Sequence, residues 1–173
     1  MLRRFCVPVL IAGLMVWAAA DALACGDKFL RVGRSPRFRA YASVHPSAIL
    51  VYAPRWTPRG IAEFEQMLKR AGHKPMTVTT AGAMTRAFGA GRYDVVITGY
   101  ADSLTVRKEI DVLPSRPALM PVLYKPAKAV AAEASAAYAC VLRPDRMSPF
   151  EALEEIDRLI ELQLKGAAKP SAR

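Results

Sequence analysis

Few side chains in this sequence are of the kinds that make or break bonds. The chain holds three cysteines and two histidines. His45 and His73 do not make a metal set, which takes three or four ligands. No two cysteines stand in Cys-x-x-Cys spacing, no glycine-rich phosphate loop follows an apolar strand, and no serine sits in a nucleophile elbow. The informative stretch runs from Arg92 to Ser103, where Val95, Val96, Ile97 and Thr98 meet Gly99. Such a run reads as a strand buried on both faces of a parallel sheet. In an open α/β sheet the carboxyl ends of the central strands form the ligand crevice. Where chemistry would be expected, Gly99 offers no side chain.

The elements around this strand alternate. Strands are expected over 48–52, 76–79, 95–98, 119–124 and 138–142. Thr57 reads as an N-cap with Pro58 in the first helical position, opening a helix whose apolar face is Ile61, Phe64, Leu68 and Ala71 and which Gly72 stops. His73 falls in the following turn, a place for a solvated imidazole. Further helices are expected over 83–88, 103–110 with Ser103 as cap, and 127–137, where alanine favours the helix. Ser148 and Glu151 form a capping box before Leu153, Ile156, Ile160 and Leu164. Strict alternation of five strands and five helices means a doubly wound parallel sheet covered on both faces.

The chain has 173 residues, 53% of them hydrophobic and 23% charged, which suffices for one domain core. Residues 1–24 carry Arg3 and Arg4, an apolar run over 7–20 and Ala22-Leu23-Ala24, the three regions of a secretory signal. Export to the periplasm is therefore expected, with residues 25–46 an irregular basic arm, 47–166 the domain and 167–173 a frayed tail. In the arm, Lys28, Arg31, Arg34, Arg37 and Arg39 form either a solvated segment or a patch for an acidic partner. Cleavage makes Cys25 the first mature residue. It is either acylated, which would tether the domain to a membrane, or paired with Cys140, since two thiols in an oxidising compartment usually join. In the chain-entropy account, closing so long a loop stabilises by roughly 4 kcal/mol. The net charge of +10 points to a basic surface, but an exported protein rarely meets nucleic acid.

From residue 48 to about 164 the chain resembles the receiver domain of bacterial response regulators. The resemblance rests on Ile49-Leu50-Val51-Tyr52, on Leu68 to His73, on Tyr93-Asp94-Val95-Val96-Ile97, on Pro121-Val122-Leu123, and on Val141-Leu142-Arg143-Pro144 followed by 150–160. It implies a (βα)5, flavodoxin-like fold with strand order 2-1-3-4-5. It also implies that the family's acidic magnesium ligands fall on Ala53 and Pro54, its phosphoacceptor on Gly99, its hydroxyl residue on Pro126 and its lysine on Arg143. Phosphoryl transfer needs a carboxylate to attack and a metal to offset the developing charge, and neither is present at these positions. Asp102, three residues past Gly99, reads as the start of the next helix rather than a substitute acceptor. The resemblance places Arg55, Trp56, Gly99, Tyr100, Lys125, Lys128 and Arg143 around the crevice, a set suited to a small anion.

The expectation is a pseudo-receiver: exported, unphosphorylated and non-catalytic, with no cofactor or metal, acting as an interaction or regulatory accessory to a protein partner. The alternative is a periplasmic small-anion binder similar to one lobe of a solute-binding protein. No nucleic acid is expected as partner, and a membrane only through lipidation of Cys25.

Overall fold

The structure, a computed structural model, describes residues 42–167. The expected signal segment, Cys25 with most of the basic arm, and the tail beyond residue 167 lie outside the described residues. Four strands, β1 (Ala48–Tyr52), β2 (Lys74–Val78), β3 (Val95–Gly99) and β4 (Ala118–Val122), form one parallel sheet in the order β2-β1-β3-β4. Five helices accompany them: α1 (Pro58–Arg70), α2 (Ala81–Ala90), α3 (Ser103–Asp111), α4 (Lys128–Ala137) and α5 (Pro149–Ala167). No helix among the described residues is long and apolar enough to cross a membrane.

Central strands with helices on both faces must be apolar on both, and β1 and β3 are. Ile49, Val51, Val95 and Ile97 face one core with Leu68 of α1 and Leu153, Ile156 and Ile160 of α5. Leu50, Tyr52 and Val96 face the other with Met84 and Ala87 of α2 and Val106 and Ile110 of α3. The helices start where the capping chemistry says. Thr57 Oγ1 accepts the Gly60 N–H at 3.1 Å with Pro58 beside it. Ser148 N–H donates to the Glu151 carboxylate at 2.6 Å and Ser148 Oγ accepts the Glu151 N–H at 3.3 Å. After α1 the chain turns through Gly72 at φ +95°, a conformation glycine adopts freely.

Three local expectations change. The first is the fifth strand, which reduces to one parallel bridge, Val122 with Leu142. Leu142 N–H donates to the Pro121 carbonyl and the Leu142 carbonyl accepts the Leu123 N–H, both at 2.9 Å. The rung before would need an N–H on Pro121, and the rung after an N–H on Pro144. Proline has none, so the ladder stops on both sides.

The second is Ser103, which does not cap α3. A short 3₁₀ turn over Tyr100–Asp102 runs straight into the helix, and the Ser103 hydroxyl, donating to the Tyr100 carbonyl at 2.7 Å, locks the junction. The third is His73, which is buried rather than solvated. Its Nδ1 accepts the Ser47 N–H at 3.4 Å, and its ring packs toward α5.

Candidate functional site

A parallel sheet delivers the loops after adjacent strands to the same end, so the segments following β1, β3 and β4 meet. After β1, Ala53 N–H is held by the Val78 carbonyl at 2.9 Å and the chain turns at Pro54. Trp56 is fixed edge-on against Phe64 of α1, with centroids 5.4 Å apart and planes at 82°. After β3, the 3₁₀ turn brings Asp102 back over Gly99. The Asp102 carboxylate meets the Arg55 guanidinium at 3.3 Å, with the acid 16% exposed and the arginine 70%. Tyr100 stacks edge-on upon Tyr138 at 6.2 Å, and the Tyr138 hydroxyl donates to Ser103 Oγ at 2.9 Å. Burial and the nearby Glu133 carboxylate hold the Tyr100 phenol protonated above its ordinary range.

These segments enclose an open cavity of about 280 Å³. Arg55, Trp56, Gly99, Tyr100 and Asp102 form one side, and Val122, Leu123, Tyr124, Pro126 and Val130 form the other. Gly99 is needed here neither for its backbone nor for tight packing. Its φ of −60° and ψ of 142° suit any residue. A Cβ at this position would lie 3.6 Å from Asp102 Oδ2 and 4.0 Å from Trp56 Nε1, ordinary contact distances. What the absent side chain provides is room.

Of the seven crevice residues expected from sequence, Arg55, Trp56, Gly99 and Tyr100 line the cavity, and Lys125, Lys128 and Arg143 do not. Lys125, at φ 45°, sets its ammonium 5.2 Å from the Tyr124 ring centroid. Lys128 is the exposed first residue of α4. Arg143 turns to Asp145 at 3.7 Å, two residues along its own loop. The crevice is thus of mixed charge: the arginine that reaches it arrives with a carboxylate. Ala53 and Pro54 supply no oxygen donor for a hard cation, and no group of three or more His, Cys, Asp and Glu gathers to hold a metal among the described residues.

A second polar cluster lies near the amino ends of the strands, and sequence reasoning missed it. Asp157 of α5 accepts the Ser43 hydroxyl at 2.5 Å and the Val44 N–H at 3.3 Å, and its Oδ1 stands 3.8 Å from His73 Nε2. One signal was visible. Asp157 falls four residues after Leu153 and three before Ile160, inside the apolar stripe of α5, where an acid is buried and must find partners.

Fold and crevice together define a parallel-sheet α/β domain with helices on both faces and an aromatic, mixed-charge cavity at the carboxyl ends of its strands. No family model matches the chain, and no curated protein matches it.

Proposed function

We propose that this chain is a flavodoxin-like, receiver-like domain that has exchanged phosphoryl chemistry for recognition, and that it acts outside the cytoplasm as a non-catalytic accessory module. The observation that carries this reading is Gly99. At the end of the central strand, in the position where a receiver holds its phosphoacceptor, there is no side chain, and a Cβ would meet Asp102 and Trp56 at ordinary contact distance. The residues in the metal-ligand positions, Ala53 and Pro54, offer a methyl group and a pyrrolidine ring. Such a site can bind, but no carboxylate stands at the phosphoacceptor position, Ala53 and Pro54 give magnesium no oxygen, and the acid at its edge, Asp102, is paired with Arg55. The order β2-β1-β3-β4, with Leu142 bridged beyond β4, supports the receiver-like reading because it is the receiver order with its fifth strand cut short.

The test is incubation of the purified domain with labelled acetyl phosphate and magnesium, beside capture of partners from a periplasmic extract. No stable label is expected, and a captured protein should be lost when the crevice is filled by Gly99→Leu. Stable label or tight magnesium uptake overturns the proposal. A second reading, a small ligand held in the same crevice, is favoured by the cavity itself, whose 280 Å³ is at the small end of ligand sites.

A further inference from the structure

We infer that the crevice takes a free α-amino acid with an apolar or aromatic side chain, its ammonium on Asp102 and its carboxylate on Arg55. This inference rests on the recognition reading above and names its ligand class. Three observations converge on it.

The first is the pairing of charges at one end of the cavity. Arg55 and Asp102 stand 3.3 Å apart, side by side. A pure anion approaching Arg55 meets the Asp102 carboxylate, and a pure cation approaching Asp102 meets the guanidinium. Like charges so close in a partly dry site are costly. A zwitterion with its ammonium and carboxylate on one carbon satisfies both groups at once, through two charge-assisted hydrogen-bonded pairs.

The second is the asymmetry in how the two groups are held. Asp102 is fixed by the 3₁₀ turn and mostly covered, whereas Arg55 is largely exposed and reaches the carboxylate through one oxygen. Asp102 Oδ2 faces the space left by Gly99, at 3.6 Å from where a Cβ would stand. A ligand ammonium can enter that space while Arg55 shifts to the ligand carboxylate, so the ion pair is shared rather than broken.

The third is size and wall chemistry. The remaining walls, Val122, Leu123, Pro126 and Val130 with the Tyr124 ring, are apolar or aromatic. A volume of about 280 Å³ matches the size of a single amino acid.

The experiment is a titration of the mature protein, followed by calorimetry and by backbone amide shifts, with three molecules sharing one ring. L-phenylalanine carries both charges, 3-phenylpropionate only the carboxylate, and phenethylamine only the ammonium. Saturable binding of phenylalanine is expected, with each single-charge analogue at least tenfold weaker. Asp102→Asn and Arg55→Gln should each weaken phenylalanine at least tenfold. Gly99→Leu, whose backbone suits any residue, should abolish binding while leaving the melting temperature near that of the parent chain. Binding of 3-phenylpropionate as tight as that of phenylalanine overturns the inference in favour of an anion site and leaves the recognition reading standing. Absence of saturation by all three also overturns it; if Gly99→Leu still removes a captured protein, recognition survives without this ligand. Stable label from acetyl phosphate would instead remove the reading on which the inference rests.

Discussion

His73 Nε2 lies 3.8 Å from Asp157 Oδ1, with the imidazole wholly covered and the carboxylate side chain 8% exposed. Burial lowers the imidazole pKa below its ordinary 6.5, and the attraction of Asp157 only partly offsets this. The unfolded chain therefore takes up the proton first. Stability contributed by neutral His73 is complete above the unfolded value and is lost as the pH falls below it toward the depressed folded value. The urea midpoint should hold steady above about pH 7 and decline below about pH 6.5. His73→Asn, which keeps an acceptor for the Ser47 N–H, should flatten that decline. A midpoint equal in parent and variant from pH 7 to 5 would show that this histidine does not govern the acid side.

Asp157 joins three parts of the chain: the segment before β1, the turn after α1, and α5. Its removal leaves the Ser43 hydroxyl and the Val44 N–H without their acceptor at a part-buried site. Asp157→Ala should cost about 2–3 kcal/mol, and Asp157→Asn less because the amide oxygen still accepts. Denaturant unfolding followed by far-ultraviolet circular dichroism measures both. A loss below 0.5 kcal/mol for Asp157→Ala would place the cluster at the surface in energetic terms.

Gly99 has unstrained backbone angles, and a Cβ there would sit at ordinary contact distance from its neighbours. Gly99→Ala should therefore stabilise by about 0.5 kcal/mol, because alanine reduces the freedom of the unfolded chain. Gly99→Asp should fold and still take no label from acetyl phosphate, since Ala53 and Pro54 bring no oxygen to magnesium. Thermal unfolding and a labelling assay on the two variants check these outcomes.

Cys140 is 2% exposed in the core that α5 covers. Burial first, and then the neighbouring Glu155, push its thiol up to about 12. With Cys25→Ser to isolate it, the native thiol should alkylate at pH 8 on the order of a thousandfold more slowly than the same thiol in urea. Equal rates would mean that the thiol is open to solvent. Intact mass with and without reductant shows whether Cys25 is acylated, joined to Cys140 or neither; Cys140 is a free thiol in the structure.

Where local chemistry decides, the sequence was legible. Thr57 with Pro58 and Ser148 with Glu151 open α1 and α5 as their residue types require, and the apolar runs of β1 and β3 could only be buried strands. The fifth strand was misread because Val141 and Leu142 are apolar enough for a strand, whereas a ladder also needs donors, and Pro121 and Pro144 withhold them. His73 was misread because its turn looks wet from either side, and its cover comes from Ser47 before β1 and from α5, more than eighty residues on. In the crevice, Arg55 and Trp56 came to Gly99 through parallel topology. Arg143 found a nearer acid in Asp145, and Asp102 starts α3 as read, though its carboxylate turns to Arg55 rather than to the helix N–H groups.

The outer strands of the sheet carry one last consequence. In β2, Lys74 turns inward to the Ser47 carbonyl, so Pro75 turns outward; in β4, Pro121 turns toward the side bridged by Leu142. Each margin is therefore missing one donor, at the second residue of β2 and the fourth of β4, where a neighbouring chain would have to be zipped on. Addition of a foreign strand is disfavoured at both margins of the described sheet, and with it strand-swapped pairing.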